Sequence, residues 1–98
     1  MMNTISSEFK TKLEEITALS SKINKNDKHR ILEMMKAHVE EIEERYNRHD
    51  DHWAIETADL IVLCYELLLM EMKDIDDVFD RCLPRFDVKL RRLAADVA

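Results

Sequence analysis

Residues 53–72 read WAIETADLIVLCYELLLMEM, and this stretch decides the fold. Its apolar side chains from Leu60 to Met70 would cover most of the circumference of a helix. A helix that is apolar nearly all round must be surrounded by other helices. Because a chain of 98 residues has few other helices to surround it, we expect a homodimer or a dimer of dimers with this helix at its centre.

The rest of the chain also has helical periodicity, since apolar residues recur at intervals of three and four. The apolar stripes run from Ile5 to Ile23, from Ile31 to Tyr46 and from Ile75 to Val97. The last stripe keeps its phase through Pro84, so we expect a kink or a short break there, and not the end of the helix. The sequence therefore predicts one all-α domain, residues 1–98, of four helices joined by short loops.

Acidic or amide side chains stand before three of the predicted helices. Asn26 or Asp27 precedes the second helix, Asp50 or Asp51 the third, and Asp74 the fourth. The side-chain oxygen of such a residue accepts hydrogen bonds from the free N–H groups at a helix start. We therefore predict that these residues cap the helices.

The composition excludes several classes of function. The chain has no glycine, so it contains neither a phosphate-binding P-loop nor a GxGxxG dinucleotide turn. Its net charge of -6 suits neither nucleic acid nor an anionic membrane surface, and its apolar run is too short to span a bilayer. Cys64 and Cys82 lie in apolar stretches without CxxC spacing. We expect a cytoplasmic protein with reduced cysteines and with no nucleic-acid or membrane partner.

Two pairs of acidic residues are the strongest candidates for a functional site. Glu56 and Asp59 lie one turn apart on the polar strip of the third helix, directly before its apolar run. Glu41 and Glu44 share a mixed face of the second helix with small and soft residues. Helices joined by a short loop pack antiparallel, which brings the two pairs level. Four converging carboxylates repel one another unless they bind a cation, and hard oxygen ligands select Mg²⁺ or Mn²⁺.

Both pairs also have a simpler explanation. The run EEIEE at residues 40–44 is of a kind common on the solvated face of a surface helix, and Glu40 and Glu43 do lie on such a face. Glu56 suits the first turn of a helix because the helix dipole favours acids there. This explanation fits Asp59 less well, since the residues that follow it belong to a core.

The acidic motifs resemble those of a known family. The pattern EExxE at residues 40–44, a gap of 11 residues, and ExxD at residues 56–59 resembles the signature of the MazG-like all-α nucleoside triphosphate pyrophosphohydrolases. The resemblance extends over residues 30–92. It implies a MazG-like four-helix bundle completed by oligomerisation. It also implies a Mg²⁺-dependent enzyme, with Mn²⁺ as the alternative ion, that hydrolyses a nucleoside triphosphate to the monophosphate and pyrophosphate.

The resemblance assigns roles to the acidic residues. Glu41, Glu44, Glu56 and Asp59 would hold the metal ion, which neutralises phosphate charge and positions a water molecule. A carboxylate not fully engaged by the metal, Glu41 or Glu44, would serve as general base. A second function stays open, a non-catalytic helical interaction module that retains the bundle. Metal binding at the four acids separates the two functions, because only the enzyme requires it.

Other residues are candidates for substrate binding. Arg85 and Lys89 lie on a basic face of the fourth helix, which either binds the polyphosphate or is simply solvated. Trp53 either anchors the start of the third helix or stacks on a base, and His52 shares the acidic strip of that helix. His38 borders the core face of the second helix, where we predict that it has an internal partner and is not a ligand.

Overall fold

Four α-helices account for nearly all of the described chain. The computed structural model describes residues 6–97, in which the helices span Ser7–Ile23 (α1), Lys28–Asn47 (α2), Trp53–Met70 (α3) and Ile75–Val97 (α4). No strand occurs within residues 6–97. The predicted all-α class and the number of helices are therefore confirmed. Ile5, the predicted start of the first apolar stripe, lies outside the described residues.

Polar side chains stand at the helix starts. Ser6, Asp27 and Asp74 each accept hydrogen bonds from backbone N–H groups two or three residues further on. Before α3, Asp50 Oδ1 accepts a hydrogen bond of 2.9 Å from the backbone N–H of His52, the residue that directly precedes the helix. The predicted capping by aspartate is thus confirmed at α2 and α4. At α3 the cap position is occupied by His52, which makes no side-chain capping hydrogen bond, so the predicted cap by Asp50 or Asp51 is not found there.

The ends of the first three helices use left-handed residues, although the chain has no glycine. Lys25, His49 and Met72 have φ angles of 55°, 60° and 57°. At each end, the N–H of the left-handed residue and that of the next residue donate to carbonyl groups of the last helical turn, which is the Schellman arrangement. Since a Cβ atom is sterically disfavoured in this conformation, the three helix ends carry a cost that glycine would avoid.

Helix α3 is the centre of the protomer, because it packs against both α2 and α1. The buried apolar residues come from these three helices: Leu13, Ile31, Leu63 and Tyr65. Glu66 is buried with them, and Ser21 Oγ donates a hydrogen bond of 2.9 Å to its Oε2 atom. Within residues 6–97, the apolar core of one protomer is therefore small for a chain of this length.

Helix α4 has no buried residue. It continues through Pro84 as predicted, without the short break that a proline allows. Large apolar side chains are exposed along its stripe: Phe79, Leu83, Phe86, Leu90, Leu93 and Val97. The radius of gyration of the protomer is 16.1 Å, against about 13 Å for a compact chain of this size. The chain within residues 6–97 is thus an extended arrangement, in which α4 is an amphipathic helix with most of its apolar stripe exposed.

None of the helices within residues 6–97 combines the length and the apolar character that a membrane crossing requires.

Replacement of Met72 by glycine should stabilise the protein by about 1 kcal/mol, because glycine adopts the left-handed conformation without the steric cost of Cβ. The Met72 side chain is 93% exposed, so the substitution removes almost no packing. Urea or thermal unfolding measures the change. Met72→Ala keeps the Cβ atom and serves as the matched control, with little change expected. A glycine variant no more stable than the alanine variant would contradict the prediction.

Candidate metal centre

The α2–α3 hairpin brings residues from the end of one helix against residues from the start of the next. The Tyr46 and Trp53 rings meet edge to face near the loop, with centroids 5.5 Å apart. Further from the loop, His38 Nδ1 lies 2.7 Å from Glu56 Oε2. Contacting residues are 7 positions apart in the sequence near the loop and 18 positions apart further from it, so the two helices are antiparallel, as predicted.

Four side chains meet on this hairpin, and we call them the His–acid cluster: His38, Glu41, Glu56 and Asp59. Glu56 is its buried member, with 7% of its surface exposed. Its Oε2 atom accepts the hydrogen bond from His38, while its Oε1 atom lies 3.6 Å from His52 Nε2. One ligand atom from each of His38, Glu56 and Asp59 lies within 4.8 Å of the other two. The cluster therefore presents nitrogen and oxygen ligand atoms within a space of metal-site dimensions.

The carboxyl groups of Glu41 and Glu56 are close enough for each to shift the pKa of the other, and this pair dominates the electrostatics of the cluster. The hydrogen bond and the charge of Glu56 raise the pKa of Glu41. The hydrogen bonds from Glu41 and then from His38 lower the pKa of Glu56. Two carboxyl groups in this relation hold one proton between them more readily than two negative charges. A divalent cation would relieve the same repulsion in place of the proton.

The structure brings three of the four predicted acids into the cluster and leaves Glu44 at its edge. Glu44 lies nearly one turn closer to the loop than Glu41, and its Oε1 atom is 2.9 Å from Arg48 Nη2 in an exposed ion pair. The reason is the register of the hairpin, which sets His38 and Glu41 opposite Glu56. The assignment of Glu44 as a metal ligand and a base stays a prediction.

The predicted substrate-binding residues have different positions. His52 lies beside the cluster with its side chain half exposed. Trp53 is half-buried against Tyr46 at the loop end of the hairpin. Arg85 and Lys89 are exposed on α4, where they line an open groove, and in the described chain no hydrogen bond or ion pair joins them to the cluster.

His38 is the residue of the cluster that the sequence did not assign to the site. Its predicted internal partner is confirmed, since it donates a hydrogen bond to Glu56. The spacing of His38 and Glu41 in the sequence already indicated that His38 could belong to the cluster. His38 precedes Glu41 by three residues, as Glu56 precedes Asp59, so each helix contributes two polar groups one turn apart.

Comparison with known proteins gives no match to a family model, to a curated protein or to a solved structure. Any assignment of function therefore depends on the geometry of the cluster and on the acidic motifs.

Replacement of Glu41 by glutamine should raise the thermal stability of the metal-free protein at pH 7. Folding raises the pKa of Glu41, so the folded protein loses stability as the pH rises and Glu41 gives up its proton. Glutamine at this position stays neutral at every pH and still donates a hydrogen bond to Glu56. Below about pH 4, where Glu41 is protonated, the difference should vanish.

Thermal melts in the presence of a chelator, at pH 4 and pH 7, measure this effect. Glu40→Gln makes the same charge change on an exposed face of α2 and is the control. An increase in the melting temperature as large for Glu40→Gln as for Glu41→Gln would show that net charge, and not the contact with Glu56, is the cause.

Proposed function

We propose that this protein is a divalent-metal-dependent nucleoside triphosphate pyrophosphohydrolase of the MazG-like kind. The observation that carries the proposal is the convergence of Glu56 and Asp59 of α3 with His38 of the antiparallel α2, where Glu56 is buried and also raises the pKa of Glu41. Glu41, Glu56 and Asp59 belong to the EExxE and ExxD motifs on which the resemblance depends. Geometry and motif thus support the same set of side chains.

The residues of the cluster fit a divalent cation. A buried carboxylate is stable only with partners, and here the partners include a second carboxyl group, which is an unfavourable neighbour without a proton or a cation between them. Carboxylate oxygens suit Mg²⁺ and Mn²⁺. Glu41, Glu56 and Asp59 would hold the ion. Glu44 would join them by leaving Arg48, since exposed ion pairs contribute little stability.

In the proposed reaction, water attacks a phosphoryl group and the α–β anhydride bond breaks, which gives a nucleoside monophosphate and pyrophosphate. The bound ion would neutralise charge on the phosphates. Glu41 lies at the exposed rim of the cluster beside the buried Glu56, and it is the carboxylate best placed to accept the proton of the attacking water. His52, also at the rim, would donate a hydrogen bond to a phosphate oxygen.

We propose that the active form is a homodimer or a dimer of dimers. Most apolar residues of the run from Leu60 to Met70 are not buried in the protomer, and the apolar stripe of α4 is exposed. Leaving four such side chains in water forgoes about 6 kcal/mol or more. That is comparable to the stability of a whole small domain, about 5 to 15 kcal/mol. Assembly would also allow α4 of a neighbouring subunit to bring Arg85 and Lys89 to the polyphosphate.

A second candidate function is a non-catalytic helical interaction module in the cytoplasm. The exposed apolar stripe of α4 favours it, because such a face suits a partner helix. The free cysteines Cys64 and Cys82 agree with the cytoplasmic location proposed for either function. The module requires no metal, so metal binding by the cluster favours the enzyme.

The activity is tested with a panel of standard and modified nucleoside triphosphates, scored for pyrophosphate release with Mg²⁺ or Mn²⁺. Glu56→Gln and Asp59→Asn should each lower turnover about 100-fold or more, because each removes a charged ligand while leaving the helices intact. Glu41→Gln should have a similar effect.

Three neighbouring acids provide graded controls for this experiment. Glu40 and Glu43 lie on the solvated face of α2, so Glu40→Gln and Glu43→Gln should retain most of the activity. The activity of Glu44→Gln should lie between that of these two variants and that of Glu41→Gln. Circular dichroism checks that each variant is folded. Equal activity of the parent, Glu56→Gln and Asp59→Asn would place the active site elsewhere.

The oligomeric state is tested by sedimentation of the parent protein and of two variants of α4. Leu90→Glu places a charge on the apolar stripe and should dissociate or destabilise the assembly. Ala95→Glu adds the same charge to an exposed position away from the stripe and should sediment like the parent. A parent protein that is a stable, active monomer at micromolar concentration would contradict the proposed assembly.

A further inference from the structure

The distances within the His–acid cluster are close to the separations between ligands of one metal ion. Two ligand atoms at about 2.1 Å from an octahedral ion lie about 3.0 Å apart when adjacent and about 4.2 Å apart when opposite. His38 Nδ1 and Glu56 Oε2 are 2.7 Å apart, close to the adjacent separation. A ligand atom of Asp59 lies within 4.8 Å of a ligand atom on each of these residues. With the ring proton on Nε2 instead of Nδ1, His38 would exchange its hydrogen bond to Glu56 for a metal bond, and small side-chain movements would place all three ligand atoms around one ion.

We propose that His38 is a nitrogen ligand of the metal centre, beside Glu56 and Asp59, and that the centre consequently binds Mn²⁺ in preference to Mg²⁺. This inference rests on the proposed function for the presence of a metal at the cluster. It adds a ligand that the acidic motifs do not contain, and it commits the site to a divalent transition-metal ion, of which Mn²⁺ is the hardest and so the best suited to the carboxylates.

The chemistry of the ligands supports this preference. Mg²⁺ demands oxygen ligands in near-ideal octahedral geometry and retains several water molecules. Imidazole binds transition-metal ions much better than it binds Mg²⁺. In addition, the carboxylates of Glu41, Glu56 and Asp59 already outweigh the charge of one divalent cation, so the neutral His38 ring completes the site without adding negative charge next to the buried Glu56.

A second histidine near the cluster makes a matched comparison available. His52 Nε2 is 3.6 Å from Glu56 Oε1, but the His52 side chain is half exposed and lies outside the group of three ligand atoms. The His38 side chain is 23% exposed and makes the shorter contact with the same carboxylate. The structure thus distinguishes a half-buried histidine within the group of ligand atoms from a more exposed histidine at its rim.

The experiment uses the full chain, Mn²⁺ as the probe and no nucleotide. Electron paramagnetic resonance counts the free Mn²⁺ in a titration, and competition with Mg²⁺ gives the relative affinity. Pulsed measurements on the bound Mn²⁺ detect the magnetic coupling to a directly bound ¹⁴N nucleus, which a histidine that only positions Glu56 would not produce. The proteins are the parent, His38→Gln and His52→Gln.

We expect the parent to bind Mn²⁺ at least about 10-fold more tightly than Mg²⁺ and to show the nitrogen coupling. His38→Gln should lose the coupling and most of the preference for Mn²⁺, whereas His52→Gln should keep both. If His38→Gln fails to fold, the parent and His52→Gln still decide, because the coupling must be present in both. No nitrogen coupling in the parent, or its loss in His52→Gln alone, would overturn the proposal.

The outcome is independent of catalysis. Nitrogen-coupled Mn²⁺ without pyrophosphate release from any nucleotide would support the His38 ligand and contradict the proposed enzyme. Pyrophosphate release from a protein whose bound Mn²⁺ shows no nitrogen coupling would support the proposed enzyme and contradict the His38 ligand.

Discussion

A carboxylate held between two antiparallel helices is the constraint on which the rest of this structure depends. Glu56 is nearly inaccessible to solvent, so its charge requires partners, and His38 from α2 provides a hydrogen bond of 2.7 Å. That contact fixes the register of α2 against α3. The register in turn decides which of the other acids reach Glu56. It brings polar side chains from the surfaces of two helices into one cluster.

The sequence predicted the helices and the antiparallel packing of α2 and α3, but not the register that places His38 beside Glu56, for physical reasons. Helix periodicity and capping depend on neighbours a few residues away, so Asp27 and Asp74 could be identified as caps from the sequence. The level at which two helices meet depends on the loop geometry and on side-chain packing, which no local pattern contains. For this reason the sequence predicts Glu44 beside Glu41 in the site, whereas in the structure Glu44 pairs with Arg48 and His38 lies beside Glu56.

The cluster and much of the apolar surface belong to the same helix, α3. Helix α3 contributes polar residues to the cluster in its first turns and apolar residues to the interior afterwards, so the same helix supports the site and the packing. The protomer buries little of this apolar surface, and α4 adds an exposed stripe of its own. A site at one end of α3 and an unsatisfied surface along its length are consistent with chemistry that takes place within an assembly.

The lack of any buried residue in α4 has a consequence for how the protein responds to dilution. A helix of 23 residues in which only Ile75, Val78 and Cys82 are half-buried has little beyond its backbone hydrogen bonds to stabilise it. Its amide hydrogens should therefore exchange with solvent far faster than those of α3 in the single chain. In the proposed assembly, folding of α4 and association of subunits would form a single equilibrium, in which the concentration of the protein sets the fraction of ordered chains.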